Sequence, residues 1–129
     1  MKEKTMLTVA SLLSLLFLTF HLTDDIVRGF EKGGLANLIA VPIVVLWMYA
    51  ALLLTERISG YVIILLLSAL GVLVPVLHMM GKGVGAGSRV FGTSGAFFFA
   101  WTLLAIGTTS LFSLILCLRG LWNRPWRRP

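Results

Sequence analysis

A chain of 129 residues that is 58% hydrophobic and only 12% charged, with a mean hydropathy of +0.97, lies outside the range of soluble domains. Its net charge of +6 needs no nucleic acid to explain it, because basic residues beside apolar runs serve topology and anionic lipid. The single cysteine, Cys117, excludes an intrachain disulfide and with it the membrane enzymes of thiol redox chemistry, which need paired cysteines.

Four apolar runs, 5–22, 35–55, 61–80 and 95–118, are each near the roughly 20 residues that a helix needs to cross a hydrocarbon core about 30 Å thick. The fold they predict is all-α: an integral membrane four-helix bundle with short loops, one transmembrane domain over residues 1–129. The first run follows Lys2 and Lys4 like a signal peptide, but Thr19, Phe20, His21 and Leu22 lack the small residues of a cleavage site, so it reads as a permanent helix. It holds no carboxylate between Thr5 and Leu22, which separates it from the small multidrug transporters. Ser14 and His21, seven apart, share a face, and Ser11, Leu18 and Asp25 run beside them.

Apart from plain loop solvation of its aspartates, the stretch TDDIVRGFEKGG after this run has two readings. In one, Thr23 caps a short interfacial helix whose first turn carries Asp24 and Asp25, Asp24 pairs with Arg28, and Gly33 and Gly34 stop it. In the other, the aspartates bind a ligand or handle protons. The second run carries Pro42 and a loose stripe of Ala36, Ala40, Trp47 and Ala51. Glu56 and Arg57 then form a solvated turn closed by Ser59 and Gly60. In the third run Ser68, Gly71, Pro75 and His78 recur at three, four and three, one helical stripe that turns His78 toward the packed face.

The loop GKGVGAGSRVFGTSG reads as a flexible connector or as an anion-binding lid with Lys82, Ser88 and Arg89, with Thr93 or Ser94 capping the fourth helix. GAFFFAW reads as an aromatic belt or as the wall of an apolar ligand or quinone site. Beyond it Ala105, Thr109, Ser113 and Cys117 step by four along a helix seam. In the tail, Trp122, Arg124, Trp126, Arg127 and Arg128 suit a membrane anchor.

Seven basic residues (Lys2, Lys4, Arg57, Arg119, Arg124, Arg127, Arg128) against four (Arg28, Lys32, Lys82, Arg89) put both termini in the cytoplasm. His21, Asp24, Asp25, Asn37 and His78 then gather at the outer mouth. Two imidazoles and up to two carboxylates suit a divalent transition metal such as zinc, iron or manganese, with Asn37 and Arg28 as supporting groups behind the ligands. Haem b between His21 and His78 is an alternative. So is a non-catalytic accessory subunit of a larger membrane complex, docking on a membrane protein partner or a second copy through its small-residue seams. His21 and Asp25 as an acid–base pair on a lipid-like substrate is a third, but no catalytic motif supports it. The expected location is the cell membrane, multi-pass in lipid bilayer, as in a bacterial inner membrane.

Overall fold

The computed structural model describes residues 2–80 and 92–123, and among these residues the regular structure is helical, without strands. α1 spans Glu3–Val27. A 3-10 segment, Leu35–Ile39, runs into α2, Ala40–Leu53. α3 covers Ile58–Met79 and α4 covers Ala96–Trp122. Counting the 3-10 segment with α2, all four are long and apolar enough to cross a membrane. Lys82, Ser88, Arg89, Arg124, Trp126, Arg127 and Arg128 lie outside the described residues.

The helices alternate in direction. At one end Lys4 Nζ meets Glu56 Oε1 at 2.7 Å and Arg119 Nε lies 3.9 Å from Glu3 Oε1, so the α1 start, the α2–α3 turn and the α4 end come together. Glu56 lies in an exposed turn, as the sequence suggested, and is also paired with the first helix. At the other end Arg28 Nη1 donates to the Ser94 carbonyl at 2.9 Å, joining the end of α1 to the start of α4.

Two boundaries differ from the sequence reading. α1 does not stop before the aspartates: Thr23 donates its hydroxyl proton to the Thr19 carbonyl at 2.7 Å inside the helix rather than capping a new one. The helix ends at Gly29, whose φ of +74° allows the Phe30 amide to reach Asp25 O and the Gly29 amide to reach Ile26 O, a Schellman ending. Asp24 and Asp25 therefore occupy a last turn, not a first one. In α2 the α-helix proper begins at Ala40, because Pro42 has no amide proton for the Leu38 carbonyl and the backbone before it tightens into 3-10 turns. Ala36 is consequently exposed instead of on the packed stripe. The cap of α4 is Gly95, with φ of +87°, instead of Thr93 or Ser94.

α4 packs chiefly against α1 and α3, and α2 covers the remaining side more thinly, with Trp47, Ala50 and Ala51 as its buried residues. Small residues set the α3–α4 distance: a Cβ on Gly71 would overlap Ser110, and one on Gly107 would press on the Pro75 ring. The larger core cluster, built on Leu7, Leu15, Trp47, Tyr61, Ile64 and Leu116, fills the half nearer the termini. The smaller one, Phe99 with Leu103, lies in the other half. The outward faces stay apolar, with Leu16, Phe20, Leu66 and Leu104 all exposed.

Gly71→Val should lower the stability of the bundle in detergent by about 1–3 kcal/mol, since the added methyls must displace Ser110 and Trp47. Thermal unfolding followed by circular dichroism reads this as a melting temperature several degrees lower. An unchanged melting temperature would mean that α3 and α4 are not in this close contact.

Candidate metal centre

Placing carboxylates in the last turn of α1 puts them at the negative end of its dipole. Each therefore needs a cationic or proton-donating partner, and the two find different ones. Asp24 Oδ1 accepts from Arg28 Nε at 2.8 Å, the expected i to i+4 pair. Asp25, 5% exposed, turns the other way, into the bundle. Its Oδ2 lies 3.6 Å from His21 Nε2 and 3.5 Å from His78 Nε2.

His21 is delivered by α1, one turn before Asp25. His78 arrives from the last turn of α3, on the stripe that carries Ser68, Gly71 and Pro75. The two imidazole rings meet edge to face, centroids 4.9 Å apart and planes at 71°. Phe99, on the first turn of α4, closes the back of the pair with its centroid 5.0 Å from His21 and 6.2 Å from His78. One ligating atom from each of His21, Asp25 and His78 can be chosen so that all three lie within 4.8 Å of one another.

The hydrogen bonds behind the rings decide what the front of the site presents. Thr102 Oγ1 lies 3.0 Å from the Phe99 carbonyl and 2.9 Å from His21 Nδ1; when its one proton is on the Phe99 carbonyl, its oxygen accepts from His21 Nδ1–H. His78 Nδ1 faces the Val74 carbonyl at 2.9 Å, and a carbonyl only accepts, so this nitrogen also carries a proton. With both Nδ1 positions protonated, neutral rings turn both Nε2 lone pairs toward the same carboxylate oxygen. Three electron-pair donors then converge. His21 Nε2 and Asp25 Oδ1 are buried and make no hydrogen bond. Such an arrangement is stable only around a cation, whether a metal ion or a proton, because buried acceptors facing one another repel and are stripped of water.

The site opens on one side into a cavity of about 300 Å³ between α1, α2 and α3. Its walls are apolar, Leu18, Ile43, Val44, Leu67 and Val74 among them, and Trp47 lies in its lining. Glu31, in the loop after α1, reaches the same cavity.

Of the residues that the sequence singles out, His21, His78 and Asp25 come together, and Asp24 does not join them. Arg28 serves Asp24 and the Ser94 carbonyl. Asn37 Nδ2 makes a long 3.5 Å contact to Glu31 Oε2 and no hydrogen bond to the three. Trp122 is exposed at the opposite end of the bundle. The sequence reading missed Thr102, Phe99 and Glu31. Thr102 could have been found from its spacing, since it lies seven residues before Thr109 on one face of α4. No family model matches the chain, and no curated protein or solved structure shows significant similarity to it.

Arg28→Gln should destabilise the protein by about 1–3 kcal/mol, because it strips the charged partner from a mostly buried carboxylate and the tie to Ser94. Adding Asp24→Asn to that variant should recover part of the loss, which a double-mutant cycle of detergent unfolding measures.

Proposed function

We propose that this chain is a four-span membrane protein that binds one divalent transition metal ion through Nε2 of His21, Nε2 of His78 and the carboxylate of Asp25. The observation that carries the reading is that both Nδ1 atoms lie 2.9 Å from oxygen atoms, Thr102 Oγ1 and Val74 O, with both Nε2 atoms facing Asp25. Histidine ligands of metals are held in this manner, the far nitrogen donating to an oxygen that fixes tautomer and ring orientation. Two ligands on one tetrahedral zinc are about 3.4 Å apart. The imidazole–carboxylate separations of 3.5 and 3.6 Å are close to that value.

Two imidazoles and one carboxylate suit zinc, iron(II) or manganese(II), and three protein ligands leave a coordination position open. Haem b is less well served: Asp25 stands 3.5 to 3.6 Å from both nitrogens, where a macrocycle between the rings would have to lie.

The exposed apolar belt makes lipid the natural surroundings of the bundle. The excess of basic residues at the end that holds Lys2, Lys4, Arg57 and Arg119 supports cytoplasmic termini and a metal site on the outer side of a cell membrane, such as a bacterial inner membrane. There Asp25 and the histidines lie near helix ends, where an ionisable group is less costly than at mid-membrane.

Purified in detergent, washed free of metal and reloaded, the protein should retain one zinc per chain at about pH 8 and release it as the pH falls to about 5, since protons and metal compete for the same Nε2 lone pairs. His78→Ala and Asp25→Asn should abolish stoichiometric binding, and Asp24→Asn should leave it intact. Thr102→Val, which removes the acceptor behind His21, should weaken binding about 10- to 100-fold. Elemental analysis after equilibrium dialysis reads all four. A wild-type protein that holds no zinc, iron or manganese at pH 8 would mean that the cation between these groups is a proton.

A further inference from the structure

The cavity beside the three ligands is not needed to hold a metal ion, and its character is unlike theirs. Its polar and ionisable groups, His21, Asp25, Glu31 and His78, stand with Thr19 among walls that are otherwise apolar. It extends to Trp47, and a Cβ on Gly71 would lie 3.3 Å from the Cη2 atom of that indole. Gly71 is seven residues from His78, about 10 Å along α3. The space is therefore a slot with a polar head and an apolar body. Its volume of about 300 Å³ is at the lower end of the range for small-molecule sites.

Two further observations narrow the occupant. Ile43 of α2 and Leu70 of α3 line the cavity and are 38% and 55% exposed, so the cavity is not sealed between these two helices. The wall between α2 and α3 is thus shared by the cavity and the apolar exterior, and a chain-like molecule can enter sideways from the bilayer. Charge decides the head. A divalent ion held by Asp25 and faced by Glu31 has both of its charges balanced, so an added acid would meet net repulsion in an apolar setting, whereas a neutral oxygen fits the open position.

We infer that the cavity binds a single-chain lipid with a neutral oxygen head, hydroxyl or carbonyl, which takes the open coordination position of the ion while the chain lies along the apolar slot toward Trp47. This rests on the metal reading above, and the two can fail separately.

The test uses the full chain in detergent, zinc-loaded, with Trp101→Phe, Trp122→Phe and Trp126→Phe so that Trp47 is the sole indole fluorophore. The probes are 9,10-dibromooctadecanol and 9,10-dibromooctadecanoic acid, whose bromines quench tryptophan from mid-chain. The alcohol should quench Trp47 saturably at one per protein, and the acid should bind at least tenfold more weakly at pH 8. Ala40→Phe, which fills the cavity from α2, should abolish the saturable component with zinc content unchanged, and a non-quenching octadecanol should reverse it. Binding of the alcohol should weaken at least tenfold in the metal-free protein. Quenching that only rises linearly with probe, that survives Ala40→Phe, that ignores zinc, or that favours the acid would overturn the proposal. Zinc content measured on the same samples keeps the readings apart. One zinc per chain without saturable quenching removes the lipid alone, and absence of zinc removes the metal reading and the lipid head site with it.

Discussion

The structure depends on how one carboxylate oxygen is satisfied. Asp25 Oδ2 faces two imidazole nitrogens at the negative end of α1, on a residue that is 5% exposed. A buried carboxylate without a cation costs several kcal/mol even after relaxation, and a helix dipole of the wrong sign adds to that cost. The neighbouring Asp24 resolves the same difficulty within its own helix, through Arg28. Among the described residues Asp25 is paired with the two histidines and with no lysine or arginine, so its stability is tied to whatever sits between it and the imidazoles.

Much of the bundle can be understood as support for that meeting. Gly71 and Gly107 let α3 and α4 approach closely, which brings His78 in beside the first turn of α4, where Phe99 and Thr102 hold His21 from behind. The larger core cluster, aliphatic side chains packed with Trp47 and Tyr61, is concentrated toward the termini. Toward the site the packing thins, Pro42 shortens the regular part of α2, and a cavity remains where a fourth full-length helix would have filled the gap. An open, apolar space next to the His21, Asp25 and His78 cluster joins a polar end to a hydrophobic slot.

The general architecture was legible because hydrophobic run length is a strong signal and helical spacing survives in single residues. Ser14 with His21, and Ser68 with Gly71, Pro75 and His78, were enough to turn both histidines inward. The aspartates were harder. Thr-Asp-Asp before an amphipathic stretch has the composition of a helix start, and only the glycine at 29, free to adopt a positive φ, marks it as an end. Once the direction of that turn is reversed, adjacent side chains about 100° apart around the helix separate Asp24 from Asp25. Sequence spacing alone could not say which of the two faced the bundle.

The fourth helix shows a different limit. Steps of four advance about 40° beyond a full turn each time, so a strict ladder does not keep to one face: Ala105 and Thr109 are half-buried and only Ser113 and Cys117 are buried. The buried stripe instead breaks its fours with a three, through Thr102, Ile106, Ser110, Ser113 and Cys117. Following the strict ladder hid Thr102, and the run Phe97 to Phe99, read as a belt or as a ligand-site wall, did not say which ring turns inward: it is Phe99, while Phe97 stacks outward on Trp101. Glu31 gave no signal because its position depends on how the loop folds back across the cavity.

The central claim is that a metal ion, and not a proton, joins His21, Asp25 and His78. X-ray absorption at the zinc edge of the metal-loaded protein tests it most directly. The account predicts nitrogen and oxygen neighbours at about 2.0–2.1 Å with the multiple-scattering signature of two imidazoles, reduced to one imidazole in His78→Ala protein under excess zinc. A spectrum of oxygen neighbours alone, without imidazole scattering and unchanged by the substitution, would contradict it.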